Sequence, residues 1–134
     1  MSGPTSTGSD QELRLAQETL QAARVLVLAG LHRHAVGRAY YAIFHAACAL
    51  LASVGLRSRT HEGLRSLINE HFVRPGKLAA EHARAFRQTA GDRTDADYDA
   101  SATFTEEDSR GDIARAEAFL SAVVALLEGT ERPG

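Results

Sequence analysis

Arg38, Tyr41 and His45 fall on one stripe if the run Arg38-Ala39-Tyr40-Tyr41-Ala42-Ile43-Phe44-His45 is helical, because positions i, i+3 and i+7 share a helix face. A guanidinium, a phenol and an imidazole inside an otherwise apolar run need a polar partner. That partner is either a ligand or another part of the protein. A guanidinium is a fork for phosphate or carboxylate, and an imidazole exchanges a proton near neutral pH. A second group of such residues, Arg93, Asp97 and Tyr98, stands later in the chain. Its bland reading is a local ion pair that shapes a loop, with the phenol anchored in the core.

The surrounding chain must position these groups. At 134 residues it is the length of one domain with a real core. Ala and Leu are abundant, Trp is absent and Pro is scarce, which favours helices. The net charge of −2 gives no general sign of a nucleic-acid binder, although a local patch is compatible with it. Lys77 is the only lysine, so the cationic groups are nearly all arginine. Cys48 is the only cysteine, which excludes an internal disulfide and the usual cysteine-based zinc site. No His-x-x-x-His pair is present, and His32-x-His34 lacks an evident third ligand, so no metal or other cofactor is expected. No phosphate-cradling glycine loop occurs, which argues against a kinase or a dinucleotide enzyme. The polar amino-terminal segment does not read as a signal peptide, and apolar runs are interrupted short of a membrane span. A cytoplasmic protein with no membrane partner is expected.

Hydrophobic spacing divides the chain into elements. Residues 1–9 read as a disordered tail, 10–129 as one helical domain, and 130–134 as a second tail. Ser9-x-x-Glu12 reads as a capping box for a first helix with Leu13, Ala16, Leu20, Ala23 and Val27 inward. A helix over 32–53 turns Ala35, Ala39, Ala42, Ala46 and Ala49 inward, and such small residues imply close packing against the first. A third is expected over 60–72, with Leu64, Leu67, Ile68 and Phe72 inward, stopped by Arg74-Pro75-Gly76. A fourth reads from 78 to 90 with a weak face of Leu78, Ala85 and Phe86, then a loop over 91–104. Thr105-x-x-Asp108 caps a last helix with Ile113, Ala116, Leu120, Val123 and Leu127 inward. The expected fold is all-α, an up-and-down helical bundle of four long helices plus a shorter helix.

The order Gly30, Arg38-Ala-Tyr-Tyr-Ala-Ile-Phe-His45, Ser58-Arg-Thr-His-Glu-Gly63, Arg93-x-x-Ala-Asp-Tyr98 and Thr105-Glu-Glu-Asp108 resembles the HEPN family (higher eukaryotes and prokaryotes nucleotide-binding), in its small stand-alone prokaryotic form. The resemblance covers residues 13–127. It implies a helical bundle, often a homodimer, and in many members a metal-independent ribonuclease marked by Arg, four to six residues, then His. Many such members are toxins paired with a nucleotidyltransferase antitoxin; others bind RNA or a nucleotide, or serve as scaffolds. Arg38-x6-His45 has the motif's spacing, but the motif's usual place before the last helix is held by Arg93-x4-Tyr98, where tyrosine replaces histidine.

On that resemblance, Arg93 binds a scissile phosphate, Asp97 and Tyr98 orient it, His45 supplies the imidazole, and Arg38 and Tyr41 bind ligand. The other reading is a non-catalytic nucleotide-binding, RNA-binding or protein-interaction module, in which Tyr98 is an adenylylation acceptor. His61 in Thr60-His61-Glu62-Gly63 reads first as a helix-start residue, with a catalyst as the alternative. Arg57, Arg59, Arg65 and Arg74 read first as solvated surface, with a phosphate-binding patch as the alternative.

Overall fold

A computed structural model describes residues 4–131 of the chain. The order is α1 (Pro4–Leu28), α2 (His32–Ala52), α3 (His61–Ile68) running into a single π-helical turn (Asn69–Val73), α4 (Ala80–Tyr98) and α5 (Glu106–Glu131). No strand occurs among the described residues. The fold is the all-α bundle expected.

α2 is the central rod. Ala35, Ala39, Ala42, Ala46 and Ala49 are all at most 1% exposed, and their small side chains let α1, α5 and α4 approach its backbone. By length and composition α2 is apolar enough to cross a membrane, but twelve of its residues are buried in the bundle. α1 lies on α2 through Ala16, Leu20, Ala23 and Val27, all buried. The two are joined by three residues, with Gly30 at φ 77°, a left-handed conformation that favours glycine. Burial pushes the Cys48 thiol up to about 12, consistent with a packing role. Phe119 of α5 is fully buried against Phe86 of α4, an edge-on pair 5.7 Å between centroids. It shares the Ala116 face yet was not among the positions expected inside, while Leu127, expected inside, is only partly buried.

Several boundaries differ from expectation, among them the end of α5, which runs to Glu131, into the expected tail over 130–134. Helix α1 begins at Pro4, so the expected tail over 1–9 is helical from residue 4; residues 1–3 and 132–134 lie outside the described residues. Ser9 is therefore inside α1 and caps nothing; its buried hydroxyl donates to the Ala49 carbonyl of α2 at 2.8 Å. The third helix ends in a π turn, which seats Phe72 in the core at 5% exposure.

The largest difference is α4, which continues through the expected loop to Tyr98. Its polar residues satisfy one another along the helix instead of breaking it. The hydroxyl of Thr89 bonds back to the carbonyls of Ala85 and Phe86, and that of Thr94 to Ala90. Arg93 and Asp97 pair one turn apart. Arg33 of α2 then closes the helix end from outside, its guanidinium donating to the carbonyls of Ala96, Asp99 and Ala102. At the start of α5 the expected cap is made in both directions: Asp108 N–H donates to Thr105 Oγ1 at 3.1 Å, and Thr105 N–H to Asp108 Oδ2 at 2.9 Å.

Candidate functional site

Tyr40 and Tyr41 are neighbours on α2, so their side chains diverge by about 100° around the helix. Tyr40 points into the core at 1% exposure, and Tyr41 sits half-buried at its edge. Three elements deliver charged groups to this pair: α2 itself, α3 and α4.

From α4, Arg93 Nη2 donates to the Tyr41 hydroxyl at 2.8 Å. Its Cζ stands 5.3 Å from the Tyr41 ring centre and 5.8 Å from that of Tyr40. Nε lies 3.0 Å from Asp97 Oδ2. That contact is an ion pair whose angle does not make it a hydrogen bond, so Nε is a buried donor without an acceptor. The Arg93 side chain keeps 21% exposure, so it is neither sealed in nor free. From α2, the exposed Arg38 places its Cζ 4.9 Å over the Tyr41 ring. An open groove of about 580 Å³ adjoins the cluster, lined in part by Arg33, His34, Arg38 and Asp97.

Two imidazoles stand beside Tyr41. His45, one turn further along α2, lies 6.4 Å from it between ring centres, and its Nδ1 is 2.9 Å from Glu12 Oε2 of α1. The other is His61, the first residue of α3. Thr60 caps that helix by accepting the Gly63 N–H at 2.9 Å. The His61 ring stacks on Tyr40 at 5.7 Å, meets Tyr41 edge-on at 6.0 Å, and packs 4.7 Å from Phe44. Its Nδ1 shares a 2.5 Å hydrogen bond with the Tyr40 hydroxyl.

Burial lowers the pKa of His61 from its ordinary value, and the positive charges of Arg93 and Arg65 lower it further. Burial raises that of Tyr40, with Arg65 and Arg93 pulling the other way. At neutral pH the pair is therefore a neutral imidazole on a neutral phenol, flanked by two guanidiniums. Such a setting attracts an anion and offers it a nitrogen base. Among the described residues, no three His, Cys, Asp or Glu side chains gather as metal ligands.

Of the residues singled out in the sequence, Arg38, Tyr41, Arg93 and Asp97 come together, with His45 at the edge. Tyr98 does not join them. Five residues beyond Arg93 on a continuous helix, it is turned about 140° away from that face, and it is 77% exposed. It is also not an anchor in the core, which was the bland expectation. Tyr40 was not among the expected site residues, and His61 and Arg65 entered only as second readings, a catalyst and part of a phosphate-binding patch. The visible signal was the Thr60 cap, which makes His61 the first helical residue; that α3 then lies across Tyr40 is tertiary information.

A model of the HEPN domain family matches residues 10–128. A UPF0332 protein of Thermotoga maritima is 34% identical over 119 residues, covering 89% of this chain and 90% of its own. A Methanocaldococcus jannaschii protein named a "putative toxin" is 35% identical over 116 residues, 87% of this chain and 86% of its own. A UPF0332 protein of Gloeobacter violaceus is 33% identical over 113 residues, 84% of this chain and 90% of its own.

Proposed function

The chain belongs to the HEPN domain family, and on that premise we propose that it is a toxin-like protein that cleaves RNA without a metal ion. The observation that carries this reading is the placement of Arg93. Its guanidinium is held by Tyr41 and by Asp97, which lines the neighbouring groove, with imidazoles against the same tyrosine. Such cleavage needs three things: a base for the ribose 2′-hydroxyl, a proton for the leaving 5′-oxygen, and positive charge on the phosphorane. Arg93 supplies the charge, and Arg38, at the groove wall, guides the strand. Asp97 orients the guanidinium. Tyr98 contacts RNA from the exposed helix end, and in a homodimer it completes the cleft of the partner subunit. The name of the Methanocaldococcus relative agrees with the toxin reading. The cytoplasm is the compartment it requires, and a nucleotidyltransferase is its antitoxin.

The test is incubation of the purified protein with transfer RNA and messenger RNA in EDTA, alone and after co-expression with a neighbouring nucleotidyltransferase. Cleavage lost in Arg93→Ala supports the reading. Intact RNA under every condition overturns it.

One observation favours a second reading. Tyr98 is the large aromatic most open to solvent, at 77% exposure. In this reading the protein binds RNA or a nucleotide without cutting it, and the Tyr98 hydroxyl accepts an adenylyl group. Its oxygen attacks the α-phosphorus of ATP, pyrophosphate leaves, and the phenolic proton goes to water. Intact-mass analysis after reaction with the nucleotidyltransferase and ATP shows one added adenylyl group in the wild type and none in Tyr98→Phe. An equal gain in both rules the residue out.

A further inference from the structure

We propose that His61, not His45, is the imidazole that faces a phosphate held by Arg93 and takes the proton from the ribose 2′-hydroxyl. The proton step rests on the ribonuclease reading; the placement of His61 against a bound phosphate does not.

The two histidines differ in what surrounds them. His45 Nδ1 is tied to the Glu12 carboxylate, whose negative charge repels a phosphate. The groups facing His61 are Tyr40, Tyr41 and Phe44 of α2, Arg65 of its own helix and Arg93 of α4. No carboxylate pairs with it among the described residues. His61 and Arg93 also share a support. The Tyr41 ring centre is 5.3 Å from Arg93 Cζ and 6.0 Å from the His61 ring. With Nε turned to Asp97, an anion drawn to Arg93 engages the Nη groups on the Tyr41 side and is thereby brought beside His61.

The nitrogens have separate duties. Nδ1 is committed to the Tyr40 hydroxyl, and Nε2 makes no hydrogen bond among the described residues. With the ring proton on Nδ1 and donated to the Tyr40 oxygen, Nε2 presents a lone pair. The 2′ O–H proton passes to Nε2 as the 2′-oxygen bonds to phosphorus. The bond from phosphorus to the 5′-oxygen breaks, leaving a 2′,3′-cyclic phosphate, and the 5′-oxygen takes a proton from water. The low basicity of His61 keeps it in the required neutral form, while the imidazolium that forms is stabilised by the added negative charge of the phosphorane.

Two measurements separate this proposal from the reading it builds on. Proton–nitrogen NMR of the imidazoles in the full chain, titrated with pH in the presence and absence of adenosine 3′-monophosphate, follows His61 directly. The nucleotide is expected to shift the His61 resonances and raise its titration midpoint, to leave His45 unmoved, and to have no effect in Arg93→Gln. A His61 signal indifferent to the nucleotide, or equally responsive without Arg93, overturns the proposal. In cleavage assays His61→Asn is expected to lose about 10²-fold or more. Wild-type cleavage that survives in His61→Asn removes the proton role and leaves the ribonuclease reading intact. A responsive His61 in a protein that cuts no RNA does the reverse: the ribonuclease reading and the proton step fall, and the phosphate-facing placement stands.

Discussion

Arg93 of α4 donates to the hydroxyl of Tyr41 on α2 at 2.8 Å, which couples the two helices through a cation the core does not need. The contact is half-buried, so its loss has a modest structural effect. Tyr41→Phe is expected to lower unfolding stability by about 1 kcal/mol, read by urea denaturation. The functional effect differs by residue. Arg93→Lys keeps the charge but loses the planar fork that holds Tyr41 and, in the proposed function, a phosphate. RNA cleavage by Arg93→Lys is expected to fall about 10²-fold or more, with a loss of stability no greater than that of Tyr41→Phe. Unchanged cleavage in this variant excludes bidentate use of the guanidinium.

Arg33 predicts a different outcome, because it acts on the end of α4. Its guanidinium reaches the carbonyl of Ala96, in the last turn of α4, and those of Asp99 and Ala102 in the turn that follows. Arg33→Met retains much of the stem and removes the donors. Hydrogen exchange is expected to accelerate over residues 96–102 and to stay unchanged in α2. The expected loss of stability is about 1–3 kcal/mol. Uniform protection in both proteins is the contrary result.

Most of the fold was legible in the sequence because apolar spacing reports directly on burial. The five alanines expected inside α2 are there, as are Ala16, Leu20, Ala23 and Val27 of α1. The end of α4 was not legible. Asp92, Thr94, Asp95 and Asp97 are weak helix formers next to Gly91, and local propensity alone reads them as a loop. What holds them helical is Arg33, sixty-three residues from Ala96 in sequence. The same blindness applied to the site. Arg38 and Tyr41 were visible as one stripe, and Arg93 and Asp97 as a local ion pair in a loop, but nothing local joins the two groups. His61 was weighed as a helix-start residue, which it is; its position over Tyr40 depends on how α3 crosses α2.

Gly63 leaves room for the turn that leads into that crossing. A Cβ there meets Ser58 Oγ at 2.5 Å and Thr60 Oγ1 at 2.7 Å, the very hydroxyls that shape the turn into α3. Gly63→Ala must push the Thr60 cap away, and His61 follows Thr60 directly. The variant is expected to lose about 1 kcal/mol of stability and to shift the His61 imidazole resonances, leaving those of His45 in place. An unperturbed His61 spectrum argues that the cap does not position the imidazole.

Asp112 links stability to pH. It lies on α5 fully buried, its Oδ1 accepting from Arg115 at 3.0 Å. Oδ2 has no donor while both carboxyls are ionised, but the Asp92 carboxyl of α4 is within hydrogen-bond reach. Burial raises the pKa of Asp112, and Asp92 raises it further by sharing a proton and by like charge; Arg115 offsets only part of this. The folded state therefore holds a proton that the unfolded chain has released above pH of about 4. A native state that binds more protons loses stability as pH rises, by up to about 1.4 kcal/mol per pH unit for one group. Asp112→Asn replaces the shared proton with an amide donor and removes the titration. The difference in unfolding free energy between variant and wild type should be small near pH 4 and grow in favour of Asp112→Asn toward pH 8. Urea denaturation across that range reads it. Parallel curves for the two proteins, or a wild type that gains on the variant as pH rises, contradict a protonated Asp112 in the fold.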